Sequence, residues 1–68
     1  MILINLMGEK TKYELSDIKS LFKKDSFHKY KVKVVKNKMF IIEIGVKYPI
    51  NYILLNPTKA TIKYMRSH

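Results

Sequence analysis

The chain reads as an α+β protein: a small antiparallel β-sheet with one helix packed on one face, ordered as hairpin, short helix, hairpin, and then a C-terminal hairpin or strand-helix unit. Three observations predict this. Apolar residues alternate with period two over 2–15 and 30–44, residues 16–25 carry apolar side chains at helical spacing, and Gly8, Asn37, Gly45, Pro49 and Asn56-Pro57 punctuate the pattern. A sheet of four to six strands is expected. No internal repeat, linker or low-complexity stretch divides residues 1–68, which read as a single compact basic domain.

Residues 2–15 fit a hairpin. Gly8-Glu9 suits a two-residue type II′ turn, which favours Gly first, and that turn pairs Leu6 with Thr11, Ile4 with Tyr13 and Ile2 with Leu15. Leu3, Asn5 and Met7 then share the other face with Glu14, Lys12 and Lys10.

Ser16 is suited to N-capping and Asp17 to the first turn of a helix over roughly 16–25, with Ile18, Leu21 and Phe22 on its apolar stripe and Lys23 and Lys24 near its C-terminal end. Phe27 lies about 180° from Ile18 on a continued helix, so the helix is expected to end before it.

The next segment, HKYKVKVVKNKMFIIEI, places Lys29, Lys31 and Lys33 at alternate positions. A two-residue turn at Asn37-Lys38 would put those lysines on the face of Phe40, Ile42 and Ile44. A three-residue loop, Lys36-Asn37-Lys38, pairs Val34 with Phe40, Val32 with Ile42 and Tyr30 with Ile44, and leaves Lys31 opposite Glu43 and Lys33 opposite Ile41. The second register keeps one face wholly apolar and is the one expected, with Asn37 or Lys38 at positive φ. Gly45 and Pro49 then break the ladder. For the remainder, Asn56-Pro57-Thr58-Lys59 suits either a type I turn or the start of a short helix, and the alternation of Ala60, Ile62 and Tyr64 with Thr61, Lys63 and Met65 favours the hairpin.

A chain of 68 residues has a small core, worth about 3–5 kcal/mol at this size. With no cysteine, neither a disulfide framework nor a thiolate metal site can supplement it, and pairing with another chain is the remaining route. MILINLM is too short for a membrane span and is followed by Gly8-Glu9-Lys10 rather than a small-residue cleavage site, so the expected location is the cytoplasm.

Charge is the strongest functional signal. The chain carries fourteen Lys and Arg against five Asp and Glu, a formal +9, and residues 26–68 hold nine of the basic side chains and only one acid, Glu43. Such a field attracts nucleic acid, an anionic membrane or an acidic protein; with only three apolar positions on the helix over 16–25 and no tryptophan, a membrane is not the expected partner. Lysines at alternate strand positions recur at about 6.8 Å, close to a nucleotide step of an extended single strand. The expected binding residues are Lys29, Lys31, Lys33, Lys36, Lys38, Lys47, Tyr52, Lys59, Lys63 and Arg66. With no DNA- or RNA-binding motif and a single arginine, recognition is expected to be largely independent of sequence.

In the expected register Val35, Met39, Ile41, Leu54 and Met65 lie on the lysine-bearing face, as an apolar surface for a homodimer or another partner. The competing reading makes the lysines solubilising edge residues whose stems cover ordinary surface. The functional class expected is therefore a small basic nucleic-acid-binding module. Its rival is a stoichiometric inhibitor or adaptor of an acidic protein, of the kind found in phages and mobile elements.

Catalysis has little to stand on. His28 reads as an ordinary surface residue and His68 as a disordered terminus, while Asp17 and Asp25 are too far apart in sequence for a helix-face metal pair, so no cofactor or metal is expected. The single enzymatic arrangement to weigh is a metal-independent ribonuclease using Lys63, Arg66 and Tyr64 or Tyr52. Against it, Tyr64 fits the core.

Overall fold

The computed structural model describes residues 1–24 and 29–67. The expectations for Asp25, Phe27, His28 and His68 lie outside the described residues. Five strands, β1 (Ile2–Ile4), β2 (Lys10–Lys12), β3 (Lys29–Val35), β4 (Lys38–Ile44) and β5 (Asn51–Leu55), form one antiparallel sheet in the order β2-β1-β5-β4-β3. Helix α1 (Leu15–Leu21) joins the two hairpins and α2 (Lys59–Arg66) follows β5. The fold class is the expected α+β, with a second helix in place of the favoured C-terminal hairpin.

The first hairpin departs from its expected register. Ile2 pairs with Lys12, Leu3 with Thr11 and Ile4 with Lys10, a shift of three residues that turns β1 over relative to β2, so that Leu3 faces the core and Ile2 and Ile4 join Lys10 and Lys12 on the outer face. The cause is Asn5. Its Oδ1 accepts from the Met7 and Glu9 backbone N–H groups at 2.9 and 3.0 Å, and its carbonyl accepts from the Gly8 N–H at 3.0 Å. An asparagine that offers the backbone a local partner ends the strand at Ile4 and builds a wider loop. Gly8 supplies the positive φ there (78°).

The second hairpin is corrected by one residue. Val35 pairs with Lys38, Val34 with Met39, Lys33 with Phe40, Val32 with Ile41, Lys31 with Ile42 and Tyr30 with Glu43, across a two-residue turn at Lys36-Asn37. Lys36, rather than Asn37 or Lys38, takes the positive φ (54°). Side chains in β4 therefore swap faces relative to expectation. Met39 and Ile41 turn inward, and Phe40, Ile42 and Ile44 turn outward beside the lysines.

The neighbouring strand explains why. β4 also pairs with β5, Met39 opposite Leu54 and Ile41 opposite Tyr52, and β5 pairs with β1, Leu54 opposite Leu3. One cross-strand row, Leu3-Leu54-Met39-Val34, thus runs under the helices. Leu3, Met39, Ile41 and Leu54 join Ile18, Phe22 and Met65 in the buried core. Phe22 is clamped edge-on by Tyr30 and Tyr52, each with ring centroids 5.3 Å away, the T-shaped geometry that aromatic quadrupoles favour.

Helix α1 is shorter than expected and starts one residue earlier, with Glu14 at the N-cap. Asp17 does sit in the first turn, where its carboxylate accepts from the Glu14 N–H at 2.8 Å. Of its expected stripe, Ile18 and Phe22 are buried while Leu21 is exposed. Helix α2 is capped by Thr58, two residues after Asn56: the Thr58 hydroxyl accepts from the Thr61 N–H at 3.2 Å and pairs with the Thr61 hydroxyl at 2.8 Å. Asn56, at φ 52°, turns the chain out of β5, and its N–H holds the Asn37 carbonyl at 2.7 Å. The helix wins over the hairpin because Thr61 and Met65, one helical turn apart, both fill the core.

Candidate binding surface on the open sheet face

Both helices contribute side chains to one side of the sheet, so the face opposite the core is open. Strand pairing orders its side chains in rows. One row reads Lys10, Ile4, Ile53, Phe40, Lys33, and the next, toward the β3–β4 turn, reads Lys12, Ile2, Leu55, Lys38, Val35. In the other direction Asn51, Ile42 and Lys31 form a third row, and Ile44 and Lys29 a fourth.

The three middle strands therefore present mostly aliphatic side chains and one ring, Phe40, interrupted by Asn51 and Lys38 at the ends, while both edge strands present lysine, with Val35 at the end of β3. An antiparallel sheet with one face in water ordinarily alternates apolar inward and polar outward; β1, β4 and β5 do not. Val35, Ile42 and Ile44 remain about two-fifths exposed (42%, 38% and 42%), and Ile2, Ile4, Phe40, Ile53 and Leu55 are half-buried. No acidic residue lies on this face among the described strands. Glu43, the one acid of residues 26–68, is opposite Tyr30 on the helix side and not opposite Lys31.

The expected binding residues separate into groups. Lys29, Lys31, Lys33 and Lys38 lie on the open face, with Lys36 exposed in the adjoining turn. Lys47 sits in the β4–β5 connection with its Nζ 5.6 Å from the centre of the Tyr48 ring. Lys59, Lys63 and Arg66 line a shallow concavity on α2 with Ile62 and Ser67, in the helix layer with the sheet between them and the open face. The cations thus form two surfaces, not one continuous track.

Tyr52 is corrected as well. It points to the helix side, packed on Phe22, and lines a small cleft with Leu21, Tyr30, Glu43 and Ile50. Of the five residues expected to form an apolar partner surface, only Val35 is exposed. Met39, Ile41 and Leu54 are fully buried and Met65 nearly so (3% exposed), because the one-residue slip and the helical C-terminus turn them into the core.

Of the residues weighed for a ribonuclease, Lys63 and Arg66 line the α2 concavity, Tyr52 packs on Phe22, and Tyr64 is held between the helices. The Tyr64 hydroxyl donates to the Phe22 carbonyl at 2.9 Å, and Lys19 and Lys24 lie over its ring at 5.6 and 4.4 Å from the centroid. Lys24 Nζ also donates to the carbonyl and hydroxyl oxygens of Ser67, locking α1 to the end of α2. These contacts make Tyr64 an anchor between the two helices. Among the described residues there is no cluster of three metal-ligating side chains, and no helix is long and apolar enough to cross a membrane.

Sequence reasoning missed Lys10 and Lys12 and the open-face residues Ile2, Ile4, Phe40, Ile42, Ile44, Ile53 and Leu55. A signal was present: Phe40, Ile42 and Ile44 share one parity and Met39 and Ile41 the other, which announces a strand apolar on both faces. No family model matches this chain, no curated protein matches it, and no solved structure matches it.

Proposed function

We propose that this protein is a stoichiometric binding module, an inhibitor or adaptor, that captures an acidic protein on the open face of its sheet. The observation that carries the reading is the row Lys10, Ile4, Ile53, Phe40, Lys33: apolar in the middle, cationic at both ends. Protein-binding patches have this anatomy, with a desolvated apolar centre that holds the complex and a charged rim that speeds encounter and rejects wrong partners. Phe40 is the only ring that the described strands place on the face, whereas a single-stranded nucleic acid draws much of its affinity from bases stacked on several rings.

Nucleic-acid binding is the second reading, favoured by Lys29, Lys31 and Lys33 along β3 with Lys36 and Lys38 beside them. A pulldown from nuclease-treated lysate separates the two. The leading reading expects an acidic protein recovered with wild type, retained after nuclease, and lost with Phe40→Asp or Ile53→Asp. Sub-micromolar binding to DNA or RNA at physiological salt, with a salt slope near −0.9 per phosphate neutralised on duplex DNA and no nuclease-resistant protein complex, would establish the second reading instead.

A further inference from the structure

We infer that the partner element is an acidic amphipathic α-helix, lying along the strands over β1, β5 and β4 with its carboxylates reaching the lysines of β2 and β3. This rests on the protein-binding reading above and adds the shape and charge pattern of the occupant.

Dimensions come first. Strands lie about 4.8 Å apart, so the apolar stripe Ile4-Ile53-Phe40 is about 10 Å from its first strand to its third. An α-helix with its side chains is about 10–12 Å wide. Sheet twist of about 20–25° per strand confines a straight rod to the middle strands, and those are the apolar ones here. Along the strands, β4 spans all four rows from Lys38 to Ile44, about 20 Å at 6.8 Å per row, the length of about 14 helical residues; β5 contributes to three of these rows and β1 to two.

Charge selects the helix. A helix seated on the stripe has one flank beside Lys10 and Lys12 and the other beside Lys29, Lys31 and Lys33, with Lys38 within the footprint near the turn. An occupant with Leu-like residues on one face and Glu or Asp on both shoulders satisfies the stripe and the rim together. A second copy of this chain does not. Both edges of the open face are lysine strands, so a face-to-face pair sets lysine against lysine in either orientation. The chain's own helices are already committed to the opposite side of the sheet, through Ile18, Phe22, Thr61 and Met65.

The test uses the full-length protein and three synthetic probes. The first is a peptide of about 16 residues, ~24 Å as a helix, with a Leu stripe and Glu on both shoulders. The second is its scramble, and the third a single-stranded oligothymidylate. Anisotropy, circular dichroism and amide chemical shifts are read together. The expected result is helix formation on binding, shifts centred on Ile4, Phe40, Ile42 and Ile53, and affinity at least about tenfold above the scramble, a difference of about 1.4 kcal/mol. The double reversal Lys31→Glu with Lys33→Glu, which leaves the core untouched, should weaken binding by a similar factor.

Equal binding of peptide and scramble would overturn the proposal, leaving charge alone as the determinant. Binding at the same residues without helix formation would overturn the helix while keeping the face as a protein site. Shifts confined to α2, tighter binding of the oligothymidylate, or a concentration-dependent dimer that buries Phe40 already at low salt, where the lysine edges are least screened, would overturn both this inference and the reading beneath it.

Discussion

Lys33 stands directly opposite Phe40 in the β3–β4 ladder, and Phe40 in turn stands opposite Ile53 of β5. A cation at the sheet edge is therefore one step from the apolar centre of the open face. The relationship follows from a single register choice, and it separates the residues that hold the fold from those free to bind.

Register is testable by stability. Met39→Ala removes a fully buried side chain from the core row and should cost about 2–5 kcal/mol. Phe40→Ala, although it removes more atoms, lies on the open face and should cost less than Met39→Ala. Urea unfolding with an unchanged m-value measures both. A larger loss for Phe40→Ala would restore the three-residue loop.

Thr58 should matter more than an exposed cap. Its hydroxyl serves the Thr61 N–H and also partners the Thr61 hydroxyl, and Thr61 is fully buried. Thr58→Ala should cost about 1–3 kcal/mol, since cap loss is compounded by a buried hydroxyl left unpaired. Thr58→Ser keeps the oxygen and should recover most of it in the same thermal or urea melts.

The turn of the long hairpin carries a removable strain. Lys36 adopts φ 54°, where a side chain costs about 1–2 kcal/mol. Lys36→Gly should raise stability by about 0.5–1 kcal/mol after its own entropic cost, read as a higher denaturation midpoint. The substitution also lowers the charge beside Lys38, so salt dependence should be compared alongside.

Oligomeric state should respond to salt in a particular direction. At about 0.05–0.1 M salt the lysine edges repel over about 10 Å or more, whereas at 1 M screening acts within about 3 Å. Sedimentation should therefore show an 8.1 kDa monomer at low salt and increasing self-association as salt rises. Phe40→Asp should abolish that rise. A tight dimer at low salt that dissociates at high salt would mean that the face pairs through ionic contacts.

Much of this protein was legible in its residues. Period-two alternation marked the four strands flanking two turns, the Ile18-Phe22 spacing marked α1, and the excess of basic over acidic residues in 26–68 marked a lysine-rich second hairpin. Asn56-Pro57 marked the end of β5, although the choice between a strand and a helix beyond it went to the alternation of residues 60–65, and the helix formed instead. The preference was misled because Thr61 and Met65 can be read at strand spacing or at helical spacing, and only a core waiting for both selects the helix.

Tertiary structure decided which face each strand shows. A strand with apolar residues of both parities can pair in adjacent registers, and reasoning about β3 and β4 alone was decided by keeping Phe40 and Ile42 away from the lysines. The energy gap that selects the register appears only when β5 inserts between β1 and β4 and aligns Leu3, Leu54 and Met39 beneath Ile18, Phe22 and Met65. Burial of that row outweighs the apparent penalty of setting Phe40 and Ile42 beside lysines, because the face they share is not the core. The composition determined that there would be a basic sheet; the packing of a fifth strand and two helices determined that its open side is an apolar stripe between two lysine edges.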